Sequence, residues 1–272
     1  MKNAAQQDLV SAFAIRFDPL VRAESDLPFA WRAVVTGRNG WTLNAVLGIL
    51  APAERDALDA FCATLAVTQA AARGVARTEA LLIVPVHAGC EAPDQILGLV
   101  AETARRHGLD ATRIVIEISA DERGDLESAE RLAEACAIEG LAISLGDFTS
   151  GRVGVNLLAR FKPRLVRLDR SLVRNIGGSD SRRLVVEGAL RLARSFGTAV
   201  VAPAAETQDE HDTLRRIGVS HRERGAALRP LPSAVPPRRA PRTEPLAPQR
   251  DVSMRRIPPA GSFAAFESMV NA

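Results

Sequence analysis

Seven polar residues stand at the ends of short apolar runs in this 272-residue chain: Arg32, Thr36, Glu117, Asp147, Arg167, Asp169 and Glu206. Carboxylates in such positions can ligate divalent cations or pass protons, and arginines can hold phosphates. Asp147 and Asp169 could form a general acid–base pair, but no lysine or histidine stands with them. The plainer expectation is that they cap loops or accept backbone hydrogen bonds. His87, His107, His211 and His221 show no metal-ligand spacing and are expected at the surface or at helix ends. Ser119, Ser144 and Ser150 lack a histidine neighbour, so a nucleophilic triad is unsupported. Gly177–Gly178 precedes a helical pattern and is expected to serve a turn.

Elements must bring these residues together. Strand candidates are Phe13–Phe17, Ala30–Val35, Ala80–Val86, Arg113–Ile118, Leu141–Leu145, Leu165–Leu168 and Thr198–Ala202. Several are unbroken runs of Val, Ile and Leu, as in strands covered on both faces. Between them, apolar residues spaced by three and four predict helices over Pro52–Arg73, Pro93–His107, Leu126–Glu139, Asp180–Phe196 and Gln208–Ile217. Several of these end near a glycine. Seven or eight such units over about 220 residues favour a (β/α)8, TIM-like barrel, with a doubly wound open sheet as the alternative. In a parallel barrel, the seven polar residues gather at one mouth.

Charge excludes some functions. The formal net charge is +3, but the six arginines and three acids of Ser233–Ala272 account for it, leaving residues 1–232 with 29 basic and 29 acidic groups. The body is neutral, which argues against a nucleic-acid groove; the tail alone could supply only a weak, salt-dependent contact. That tail holds seven of the 16 prolines and is expected to be disordered. At its end Phe263, Phe266, Met269 and Val270 recur at helical spacing, which suits either a frayed terminus or a short docking helix. The domain reading is therefore 1–232 and 233–272. Cys62, Cys90 and Cys136 are odd in number and outside any CxxC pattern, and no window approaches a membrane span. A cytoplasmic protein without a membrane partner is expected.

The order of these blocks resembles the EAL domain family, the cyclic-di-GMP phosphodiesterases. The longest match is Leu141–Ile176; others are Trp31–Gly37, Ile114–Ser119, Val200–Glu206 and Arg224–Pro232. The resemblance implies an EAL-type barrel and a reaction in which two Mg or Mn ions activate water against a phosphodiester. Carried onto this chain residue by residue, it implies heavy loss. The name-giving glutamate falls on Arg32, the phosphate-contacting arginine on Thr36 and the ligand asparagine on Pro85. Glu117 survives, but its companion is Ala120. The aspartate pair reads Gly146–Asp147, and the catalytic lysine is Arg167, with Asp169 kept after it. Pro203 stands at the catalytic glutamate, Glu206 at the second one, and Arg224 at a late glutamine.

These positions, Arg32, Glu117, Asp147, Arg167, Asp169 and Glu206, then read as a vestigial site with no catalytic residue and no bound cofactor. Arg32, with Arg167 as a second candidate, is expected to fill the metal space and pair with Glu117 and Asp147, because buried charges need partners. The expectation is a catalytically inactive regulatory module with a protein partner. Alternatives are a non-hydrolysing cyclic-di-GMP receptor and a residual phosphodiesterase; a homodimer is compatible with both.

Overall fold

The computed structural model describes residues 13–25, 27–37, 43–47, 50–119, 125–149 and 151–224. The proline- and arginine-rich tail, the terminal apolar quartet and the 225–232 block lie outside the described residues, as do Ala120 and Ser150. Eight strands close into a barrel in chain order: β1 (Phe13–Arg22), β2 (Pro28–Gly37), β3 (Leu81–Pro85), β4 (Ile114–Ser119), β5 (Ala142–Phe148), β6 (Leu165–Leu168), β7 (Ala199–Ala202) and β8 (His221–Glu223). The described helices are α1 (Leu43–Leu47), α2 (Pro52–Ala72), α3 (Pro93–Arg106), α4 (Leu126–Ile138), α5 (Arg152–Phe161), α6 (Arg170–Val173), α7 (Asp180–Ser195) and α8 (Gln208–Arg216). The fold is the (β/α)8 barrel, not the open sheet.

One strand departs from strict repetition. β1 runs antiparallel to both β2 and β8, while every other neighbouring pair is parallel. Residues 23–27 are too short a connection for a parallel crossover, so the first two strands form a hairpin. Strand β8 was invisible to apolar periodicity because His221, Arg222 and Glu223 carry no hydrophobic run. Helix α5 was likewise not among the periodic candidates; it is short, yet Val153, Leu157 and Leu158 are buried along one side.

Local chemistry sets the helix ends. Pro52 and Pro93 open α2 and α3, where the absent N–H costs nothing. Asp125 caps α4 by accepting from the amides of Glu127 and Ser128. Thr207 and Glu210 form a reciprocal capping box on α8. Helices end at glycine in left-handed backbone, as at Gly140 (φ 70°) and Gly197 (φ 72°).

Two apolar layers result. Between strands and helices lies the larger core, which includes Leu82, Ile116, Leu145, Phe148, Leu132 and Leu157. Inside the barrel a smaller plug joins Leu20, Ala30, Leu81, Ile83, Val115, Leu165 and Val201. Side chains alternate across a strand, so two residues further along β2, β4 and β6 the same inner face carries Arg32, Glu117 and Arg167. The plug is the floor on which the polar mouth rests.

Phe148 is fully buried at the end of β5, beside the irregular pairing of β5 with β6. Phe148→Ala is expected to lower unfolding free energy by about 3–5 kcal/mol in chemical denaturation.

Candidate functional site

The mouth is organised by one buried carboxylate. Glu117 is 8% exposed, and Arg32 grips it from β2 with Nε donating to Oε1 and Oε2 at 3.0 and 2.8 Å and Nη2 donating to Oε1 at 2.6 Å. From β6, Arg167 approaches the same carboxylate, its Nε 3.5 Å from Oε2. Arg167 Nη2 also donates to Asp147 Oδ1 at 2.8 Å, and its Nε lies 3.7 Å from Glu223 Oε1. Both guanidiniums are nearly enclosed. The result is a chain of alternating charge running from β2 through β4 and β6 to β5 and β8.

Electrostatics keep Glu117 and the two arginines ionised. Burial alone would raise the Glu117 pKa, but Arg32, then Arg167, outweigh it and hold the carboxyl at about 2. Burial alone would lower the Arg32 pKa; the contact with Glu117 raises it above the ordinary value instead. Arg167 follows the same pattern, with Arg32 opposing and Glu117 and Glu223 supporting its charge. Such a cluster is costly to disrupt because removing one partner strands the others in low dielectric.

The backbone accommodates the cluster. An ideal Cβ on Gly146 would lie 3.1 Å from Glu117 Cδ and 3.2 Å from Arg167 Nη2. Glycine at that position therefore belongs with the Glu117–Arg167 contact. Its neighbour Asp147 adopts left-handed backbone (φ 52°), uncommon for a residue with a Cβ. Pro85 ends β3 in register with Glu117 and offers no side-chain donor.

Other sequence candidates lie outside this cluster. Asp169 caps α6, accepting from Ser171 N at 2.7 Å, so it serves a helix end. Glu206 pairs with Arg170 at the surface. Thr36 donates to Ala14 O at 3.4 Å, and Arg224 N donates to Pro19 O at 2.9 Å. The Ser144 hydroxyl is buried with no hydrogen-bond partner among the described residues, so no base activates it. Two histidines correct the surface expectation: His221 is half-buried in β8, its ring edge-on to Phe29, and His87 is half-buried in the loop after β3. His107 does stand at a helix end, after α3.

Glu223 was not foreseen as a site residue. The only signal for it was position, one residue before the Arg224 block, in a strand lacking an apolar pattern. Asp18, which no motif marks, stands opposite Arg32 in the β1–β2 ladder and is gripped by Arg16.

The donors at the mouth do not fit a pair of divalent ions. Glu117 is gripped by two guanidiniums, Gly146 and Pro85 present no side-chain oxygen, and the two fixed positive charges lie against the one buried carboxylate. Among the described residues, no group of three or more His, Cys, Asp or Glu side chains is placed to hold a metal. No helix of the described residues is long and apolar enough to cross a membrane.

The family model for the EAL domain matches residues 2–222. Among solved structures, a standalone EAL protein from Vibrio cholerae O395, in its cyclic-di-GMP-bound form, is 25% identical with a TM-score of 0.69, covering 82% of this chain and 94% of its own. The BlrP1 complex of Klebsiella pneumoniae with calcium and cyclic-di-GMP shares the fold at TM-score 0.71 and 20% identity, covering 84% and 58% of the two chains. Among curated relatives, an uncharacterized protein of Mycobacterium tuberculosis is 31% identical over 131 residues, 48% of this chain. The blue light- and temperature-regulated antirepressor BluF of Escherichia coli is 26% identical over 130 residues, 47% of this chain and 32% of its own length. The chain spans about a fifth of the length of the first of these curated relatives, 21%.

Glu117→Gln leaves two buried guanidiniums without their shared counter-ion and is expected to cost about 3–5 kcal/mol in urea unfolding. The wild-type stabilisation should be complete above the unfolded carboxylate pKa of about 4.3, decline below it, and vanish as pH falls through about 2. The Gln variant should lack that acid limb. Gly146→Asp, which adds volume and a third acid beside Glu117 and Asp147, should destabilise by about 1–3 kcal/mol.

Proposed function

Since this chain belongs to the EAL family, we propose that it is a catalytically inactive EAL domain acting as a regulatory or protein-interaction module in bacterial cyclic-di-GMP-related signalling. The observation that carries the reading is the Arg32–Glu117–Arg167 ion-pair chain. In the family, as the resemblance implies, that space holds divalent ions which activate the attacking water. In this chain Glu117 is paired with guanidiniums, and a guanidinium neither ligates a cation nor yields a proton at accessible pH. Arg167, at the family's lysine, cannot share a proton in the lysine's manner. Pro203, at the family's catalytic glutamate, is buried and carries no acid.

The same arginines argue against a phosphate receptor. Arg32 commits Nε and Nη2 to Glu117, and Arg167 is engaged by Asp147, Glu117 and Glu223, so a phosphate would compete with carboxylates already in contact. The name of the relative BluF, an antirepressor, is in keeping with a barrel that works through another protein.

Calorimetry of the full chain with cyclic-di-GMP in Mg2+ or Mn2+ tests the proposal. The expected outcome is no binding tighter than about 10 μM and no linear dinucleotide above a protein-free control. Tighter binding without turnover would make the protein a receptor. Product above background would overturn the inactive assignment.

A further inference from the structure

Away from the ion-pair chain, a second carboxylate is buried without a counter-ion. Asp59 on α2 has 0% exposure. Its Oδ2 accepts from His87 N at 2.7 Å, while its Oδ1 has no hydrogen-bond partner among the described residues. His87 opens the loop that carries the chain from β3 to α3. Asp56, one turn earlier on α2, holds the far end of that loop, accepting from Glu91 N at 2.9 and 3.2 Å and from Ala92 N at 2.9 Å. The loop's near end is tied to the mouth, because Val86 N donates to the carbonyl of Glu117 at 3.2 Å.

We propose that Asp59 is a proton-dependent anchor: protonated, it fastens the loop of residues 86–92 and with it the β3 side of the barrel mouth; ionised, it loosens that fastening. A carboxylate with one hydrogen bond in an apolar wall is poorly solvated, whereas a carboxylic acid with the same acceptor contact carries no charge to solvate. Burial pushes the Asp59 carboxyl up to about 7; the His87 amide opposes this, and Asp56 adds to it.

Of the groups around Asp59, His87 is the other whose ordinary value, about 6.5, lies near this range. Asp56 and Cys62 lie on α2 itself, and His87 and Cys90 lie on the loop. Arg55 faces His87, while Arg131 and Cys136 of α4 face Cys90. Burial raises all three cysteines to about 12, outside the range. Burial and then Arg55 hold His87 below its ordinary value, and its Nδ1 accepts from Gly89 N at 3.0 Å, a contact that requires an unprotonated nitrogen.

The sign follows from linkage. The closed loop holds the Asp59 proton up to about pH 7, whereas an opened, hydrated carboxyl loses it near 4. Opening therefore becomes easier as pH rises between these values and is constant above the higher one.

Amide hydrogen exchange of the full chain, corrected for intrinsic rate, is the test. Protection at His87 should fall by up to about tenfold per pH unit between pH 5 and 7 and level off above. Asp59→Asn should remove the dependence, and the Asp59 side-chain carboxyl carbon shift in the wild type should titrate near pH 7. Protection that is flat or rises with pH overturns the proposal, a rise being the sign His87 would give, as does the same fall persisting in D59N. Should D59N not fold, the wild-type exchange profile and carboxyl shift decide together.

Discussion

A charge placed on top of an apolar plug inside a closed barrel must find its opposite, and much of the mouth follows from that requirement. Leu20, Ala30, Leu81, Ile83, Val115, Leu165 and Val201 pack as a buried apolar cluster beneath the charged layer. Glu117, one step above, can remain ionised only if cations are held against it. Two arginines from strands on either side supply them, and Asp147 and Glu223 balance the second arginine in turn. The glycine at 146 then follows from space: a side chain there would meet the arginine and the glutamate that have closed over it.

The arrangement solves the same electrostatic problem that metal ions solve in a site of this kind, by opposite means. Divalent ions bring removable positive charge and leave room for water. Guanidiniums bring charge tethered to the backbone, with donors that occupy the acceptor lone pairs. The first suits chemistry and the second suits a fixed shape. On the function proposed above, the barrel rim is the platform for recognition.

Much of this was legible in the sequence, because register in a parallel barrel is strict. Arg32, Glu117 and Arg167 each follow a buried strand residue by two, so alternation alone puts them on the inner face. Helix ends were readable from Pro52, Pro93 and the glycines because their backbone chemistry is local. What was not readable depended on tertiary context. Glu223 lies in a strand of three polar residues that exists only because β7 and β1 offer it partners. Asp59 sits in a helix whose apolar pattern hides it among Leu58, Cys62 and Ala63, and only the packed loop shows that its carboxyl is enclosed. The reversed β1 could not be inferred from its residues, since period-two alternation has no direction.

That reversal has a mechanical consequence. Phe13 stands opposite Gly37 at the open end of the barrel, and Arg22 stands beside His221 further in. Strand β1 thus runs from the rim down through the wall before the chain turns. A tension applied at Phe13 would load the ladder joining β1 to β2 in shear along its length, including the rung where Asp18 faces Arg32. A pull on β1 would therefore reach the rung beside Arg32 through backbone hydrogen bonds, with the shorter β1–β8 ladder sharing the load further in.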